Sequence, residues 1–226
     1  MGYLLDNCLF ERLTLEIIDR CQPYKCSKDP DIDSFFHKDT KDNFEDYTLE
    51  MMGYSHCFYT NENSPKMVCA FSLANTTLRT DTLSKSKKNK FNRAIPNTKR
   101  RSQYPAILIG QLCVFDDFGY NLIQEHVGDE MMDLIKTMAI NPDNDSAARY
   151  IVVDAVNQPH VIDYYKRNGF DFLFESDEEE LECLRGYLNL QNQEPQVKDS
   201  TGVNDMKEKP ICKTRLMWFD LILLKQ

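Results

Sequence analysis

No run in this chain approaches the roughly 20 apolar residues a membrane-crossing helix needs. The opening MGYLLDNCLFERL has no basic start followed by an apolar stretch, so neither a membrane span nor a secretory leader is expected. No CxxC pair occurs among the eight cysteines, and Cys69 and Cys113 lie inside apolar runs. Buried thiols are therefore expected rather than disulfides or zinc ligands, and no metal site. Acid is missing altogether from Thr82 to Phe115, where Lys85, Lys87, Lys88, Lys90, Arg93, Lys99, Arg100 and Arg101 are all basic. With a net charge of −9 over the whole chain, the rest is strongly acidic. These absences describe a cytoplasmic protein, and 226 residues suffice for one domain with a real core, spanning 1–226.

The richest stretch runs from Tyr104 to Lys136. Ala106 to Phe115 is apolar and rich in β-formers, broken only by Gly110 and Gln111, as expected of a strand covered on both faces. The period then changes: Val127, Met131, Leu134, Ile135 and Met138 share one helical face, and Asn141-Pro142 stops the helix. Its N-terminus lies beside Gly128, and the unpaired N–H groups of a helix start make a physically reasonable phosphate site. A second strand, Tyr150 to Val156, follows. Asn157 and Pro159 then open a helix carrying Tyr164 and Tyr165, closed by Gly169.

Upstream, Cys8 to Leu13 reads as a strand and Thr14 as the N-cap of a helix through Arg20. Asp31 is expected to cap a longer helix with Ile32, Phe35, Phe36, Phe44 and Tyr47 as its buried stripe. Ser55–Thr60 and Met67–Ala74 form an antiparallel hairpin across NENSP. Residues 77–103 read as a basic insertion loop in which Pro96 and clustered Ser, Asn and Lys argue against a packed element. Downstream, Phe170–Phe174 is a short strand and the acids from Glu175 to Glu182 a solvated face. Residues 189–209 form a flexible polar insertion, and Thr214–Leu224 a final strand.

LIGQLCV, a loop with VG entering a helix, IVVDAVN and YYKRNGF together resemble the core of the GNAT N-acetyltransferases. The stretch YKCSKDPDIDSFFHKDT is similar to the opening of a branch that includes toxins acetylating aminoacyl-tRNA. The resemblance implies one mixed, mostly antiparallel α/β sheet with two splayed parallel strands and flanking helices. It also implies acetyl-CoA as cosubstrate, without a metal. The pantetheine arm would bond the backbone at Leu112, Cys113 and Val114. The pyrophosphate would meet His126, Val127, Gly128 and Asp129, and Asn157 would lie near the pantetheine. Tyr165 would protonate the leaving thiolate.

The family's phosphate loop, Q/R-x-x-G-x-G/A, is met here by IQEHVG, and only the last glycine matches. Gln124 and His126 put side chains where backbone must approach an anion closely, and Asp129, Glu130 and Asp133 compete with it for the helix start. Two readings of Tyr165 stand side by side, general acid and core aromatic. The basic segment is either a solvated loop or, through Lys99, Arg100 and Arg101, a contact for an anionic acceptor. The expected function is acetyl transfer to an amine on a small molecule, a peptide or an aminoacyl-tRNA, with nucleic acid the less favoured partner. The other reading is a GNAT-fold binding module without turnover.

Overall fold

The apolar run at the centre of the chain folds as expected, as β4 (Gln103–Val114), and the helix after it as α7 (Val127–Ile140). In this computed structural model the described residues are 2–92, 95, 100–143, 147–191 and 211–225, with backbone alone for 186–191. Before β4 come α1 (Tyr3–Asn7), β1 (Cys8–Arg12), α2 (Leu15–Arg20), α3 (Pro30–Phe35), α4 (Phe44–Leu49), β2 (Tyr54–Thr60), β3 (Met67–Arg79) and α5 (Lys85–Asn92). A 3-10 turn at Asp116–Phe118 and α6 (Tyr120–Ile123) separate β4 from α7. After α7 come β5 (Tyr150–Val156), α8 (Pro159–Arg167), β6 (Asp171–Phe172), α9 (Asp177–Gln191) and β7 (Thr214–Asp220).

The strands form one mixed sheet in the order β1-β2-β3-β4-β5-β7-β6, an α/β arrangement with helices between strands. β1/β2, β2/β3 and β6/β7 are antiparallel, and β4/β5 is parallel. The chain packs as two compact units. One comprises Met1–Leu78, Gln103–Val153 and Phe219–Gln226, the other Arg79–Ser102 and Asp154–Trp218.

In the first unit the short helices lay an aromatic face over β2, β3 and β4. Phe36 and Phe44 are fully buried with Leu13, Ile17, Tyr59, Met67 and Phe115, and the Phe36 ring meets Phe115 edge-on at 6.3 Å. Thr14 caps α2 as expected, its hydroxyl accepting from the Ile17 N–H at 3.4 Å. The single helix expected from Asp31 is instead two. Asp29, not Asp31, caps α3: its carboxylate accepts from the N–H groups of Asp31 and Ile32, and Pro30 sits at the first helical position. α4 starts anew at Asn43, which forms a capping box with Asp46 just after Asp42 turns left-handed at φ 58°. β3 also outruns its expected end at Ala74. The β-branched Thr76 and Thr77 carry the strand on, and Leu78 is buried.

His56 on β2 clusters with Phe10 and Phe71, ring centroids 5.5 and 5.4 Å away, and its buried Nδ1 has no hydrogen-bond partner among the described residues. Burial, with Arg12 nearby, drops its pKa from 6.5 to about 4. The unfolded chain therefore binds a proton between those values that the folded chain refuses. Its contribution to stability is present above pH 6.5 and is lost as pH falls towards 4. A series of urea midpoints from pH 7 to 4, as an order-of-magnitude scan of that window, should fall less steeply in His56→Phe than in wild type. Parallel profiles would refute the assignment.

In the second unit, residues 77–103 hold a packed element after all. The lysine-rich α5 buries Phe91 against Trp218, centroids 4.1 Å apart. Lys87 Nζ donates to the Phe172 carbonyl at 2.8 Å, and Lys90 pairs with Asp171 at 2.5 Å. The lone aromatic in a lysine run was the available signal. The expected strand Phe170–Phe174 is reduced to β6, and the final strand ends at Asp220, whose carboxylate accepts from the Ile222 N–H and starts a 3-10 turn at Leu221–Lys225. Residues 189–191 close α9, and 192–209 lie outside the described residues.

Candidate functional site

β4 pairs with β5 from Ala106↔Tyr150 to Ile109↔Val153, where the pairing stops, although β4 runs on to Val114 and β5 to Val156. The change falls at Gly110-Gln111, the interruption visible in the sequence. There the Gln111 N–H donates to the Ser72 hydroxyl at 2.8 Å, and a Cβ on Gly110 would stand 2.9 Å from that same oxygen. Glycine is what lets the hydroxyl approach. Beyond it, Leu112 and Val114 are half-buried, while Cys113 and Phe115 alternate into the core of the first unit.

The start of α7 belongs to the same unit. Gln124 adopts a left-handed backbone, φ 56°, which closes α6 and turns the chain towards α7. His126 occupies the N-cap position without a side-chain capping bond. Its exposed ring stacks on Tyr120 at 4.5 Å and lies 3.7 Å from the Asp129 carboxylate. The acids here are not simply arrayed against an anion. Glu130 accepts the N–H groups of Tyr3 and Leu4, both at 2.8 Å, and so caps α1, while Asp133 pairs with Lys136 at 3.5 Å. A Cβ at Gly2 would stand 2.4 Å from that Glu130 carboxyl, so α1 is seated closely on the first turn of α7.

Asn157 and Tyr165 belong to the second unit. The Asn157 side-chain amide donates to Asp177 at 3.2 Å and to the Cys212 carbonyl at 2.9 Å, which leaves its oxygen as the group able to meet a ligand. Gly169, at φ 83°, closes α8 as expected, with the Phe170 N–H donating back to the Tyr165 carbonyl at 3.0 Å. Tyr165 is only 6% exposed, wedged edge-on between Tyr164 and Phe170. Burial pushes the pKa of its hydroxyl above the ordinary phenol value. Tyr164 is half-buried beside Arg167. Of the basic trio, Arg100 and Arg101 are exposed and Lys99 lies outside the described residues.

The acids of α9 are the clearest departure from the expected solvated face. Glu180 is 3% exposed and meets Arg215 Nε at 2.7 Å and the Leu216 N–H at 2.7 Å, while Asp177 takes Arg215 Nη1 at 2.5 Å. Burial raises the Glu180 carboxyl above its ordinary value against the pull of Leu216 and Arg215. Through Asp177 this cluster also holds Asn157 and the Cys212 N–H. An arginine facing inward in TRLMWFD, and acids three apart on a helix, are the signals that could have paired them.

No family model matches the chain, and no curated protein matches it. Solved structures do. A tyrosine-to-phenylalanine mutant of KacT matches with a TM-score of 0.57 at 11% identity, over 97% of this chain and 98% of that one. A tyrosine-to-phenylalanine mutant of the AtaT toxin matches at 0.57 and 12%, over 98% and 95%. AtaTR bound with AcCoA matches at 0.50 and 14%, over 98% and 99%. At such identities the likeness is one of fold: the chain has a GNAT-like α/β fold, similar to that of the KacT and AtaT toxins.

Proposed function

We propose that this protein is an acetyl-CoA-dependent N-acetyltransferase. The observation that carries the reading is Tyr165, 6% exposed and packed between Tyr164 and Phe170 on the helix where the GNAT resemblance puts the acid. The end of β4/β5 pairing at Ile109 and a neighbouring fold bound with AcCoA support the same reading.

Acetyl-CoA would supply the thioester whose acetyl group passes to the amine. Backbone at Leu112, Cys113 and Val114 bonds the pantetheine, and an N–H there polarises the thioester carbonyl. The Asn157 oxygen accepts a pantetheine amide N–H. His126, Val127, Gly128 and Asp129, at the uncapped start of α7, meet the pyrophosphate. Tyr165 would donate its proton to the departing sulfur as the C–S bond breaks, and the proton released by the nitrogen on forming the C–N bond would restore the phenol, directly or through solvent. Arg100, Arg101 and Lys99 meet an anionic acceptor. The resemblance of YKCSKDPDIDSFFHKDT to the toxin branch makes an aminoacyl-tRNA one acceptor class to test.

Titration calorimetry tests the binding step. Wild type should give saturable heat with acetyl-CoA, and Gly128→Glu should abolish it, because a carboxylate there meets the pyrophosphate both sterically and electrostatically. No heat from wild type at millimolar acetyl-CoA would sink the proposal. A second reading, a binding module without turnover, is favoured by one observation. Gln124 holds a left-handed conformation in a loop that has lost the family's other glycine, so the anion cradle differs from the usual one.

A further inference from the structure

Within the first unit, the end of α7, the first residues of β4 and β5 and the 3-10 turn at Leu221–Lys225 enclose a cleft of about 360 Å³. Ala139, Ile140, Ala148 and Leu221 give it an apolar wall, and Arg149 and Lys225 bring positive charge to it, while no acid lines it among the described residues. The backbone of Arg149 is pinned on both sides. Its N–H donates to the Pro105 carbonyl at 2.8 Å, and its carbonyl accepts from the Leu221 N–H at 3.2 Å. The guanidinium donates through Nη2 to Asp220 at 2.9 Å, and its Nε is buried with no hydrogen-bond partner among the described residues. Lys225 is exposed and makes no ion pair among the described residues.

We infer that this cleft is a binding site for a small carboxylate carrying a short hydrocarbon body. Arg149 and Lys225 against Asp220 leave a surplus of one positive charge, which suits a monoanion. A phosphate dianion finds less here. The last turn of α7 presents carbonyls rather than N–H groups, and the N–H groups of Arg149 and Leu221 are already committed. The apolar wall takes the hydrocarbon body out of water, in a cleft of a size usual for small-molecule sites. A carboxylate held between Arg149 and Lys225 gives the guanidinium a second acceptor beside Asp220. Rotation of the fork about its stem brings the unpaired Nε to that acceptor and offsets the cost of leaving it buried alone.

The site is independent of the acetyltransferase reading. The pyrophosphate is assigned to the start of α7 and this cleft to its end, 14 residues on, or about 20 Å along the helix. Its test uses no acetyl-CoA, so either reading can fail without the other.

Titrating the isotope-labelled full chain with sodium hexanoate at low salt, and following the backbone amide resonances, tests it. Saturable shifts should concentrate at residues 139–141, 147–149 and 221–225. Hexylamine and hexanol, with the same body and no negative charge, should leave those resonances in place, and inorganic phosphate should bind more weakly than hexanoate. Lys225→Gln should weaken hexanoate about three-fold, as for one exposed ion pair. Arg149→Lys keeps a cation beside Asp220 but loses the fork, and should weaken it about ten-fold. Shifts absent at tens of millimolar hexanoate or centred elsewhere, equal shifts with hexylamine or hexanol, tighter binding of phosphate, or unchanged affinity in Lys225→Gln would each overturn the inference. Should Arg149→Lys fail to fold, the wild-type map and Lys225→Gln, a change at an exposed residue, decide it.

Discussion

Tyr165→Phe should lower acetyl transfer on the order of 10²- to 10⁴-fold while leaving acetyl-CoA affinity nearly unchanged. The substitution keeps the ring that packs between Tyr164 and Phe170 and removes only the hydroxyl. Because the ring keeps its packing, folding should be intact. The hydroxyl's pKa, raised by burial, keeps the proton in place at neutral pH and available to the leaving thiolate. A packing role alone predicts a rate within about three-fold of wild type, far from a general-acid loss. Tyr164→Phe is the matched control. It should leave the rate nearly intact, and the reverse outcome would move the acid one residue along α8.

The largest expected effect on stability is at Arg215. Arg215→Met keeps a long apolar stem in the strand but leaves Glu180, 4% exposed at its side chain, without its counter-charge, and removes the arginine from Asp177. Removing one member of a buried ion cluster typically destabilises by about 3–5 kcal/mol, because the remaining charge stays buried and unpaired. Urea denaturation should show that loss, and adding Glu180→Gln to the variant should recover part of it by removing the stranded charge. A change within about 0.5 kcal/mol, as at an ordinary surface position, would contradict the burial and pairing described here. The same variant loosens Asp177, which holds Asn157, and so bears on the proposed pantetheine contact as well as on folding.

Local chemistry was legible and long-range pairing was not. β4, α7, β5 and α8 announce themselves through period and punctuation: the Val127–Met138 stripe, the Asn141-Pro142 stop, Pro159 at a helix start and Gly169 past its end. The split between α3 and α4 was hidden because helical spacing from Ile32 to Tyr47 continues across Asp42, whose left-handed backbone only the fold reveals. α5 was hidden because polarity outweighed the one buried anchor, Phe91. Arg215 and Glu180 lie 35 residues apart, and Glu130 meets Tyr3 and Leu4 across more than a hundred, so no window of sequence contains either pair. At the candidate site the same division holds. Gly110-Gln111 marked where β4 stops pairing with β5, whereas the engagement of the Asn157 amide and of the Glu130 carboxylate came only from tertiary contacts.

The most direct test of the central claim is amine-dependent release of CoA. Purified protein, acetyl-CoA and a panel of acceptors, including small amines, lysine-bearing peptides and charged tRNA, would be followed by free-thiol appearance and by mass of the acetylated product. The account predicts stoichiometric CoA and N-acetyl product with at least one acceptor class, suppressed in Tyr165→Phe. Saturable acetyl-CoA binding by well-folded protein with no amine-dependent CoA release across the panel would contradict it and leave a GNAT-like fold that binds without turnover.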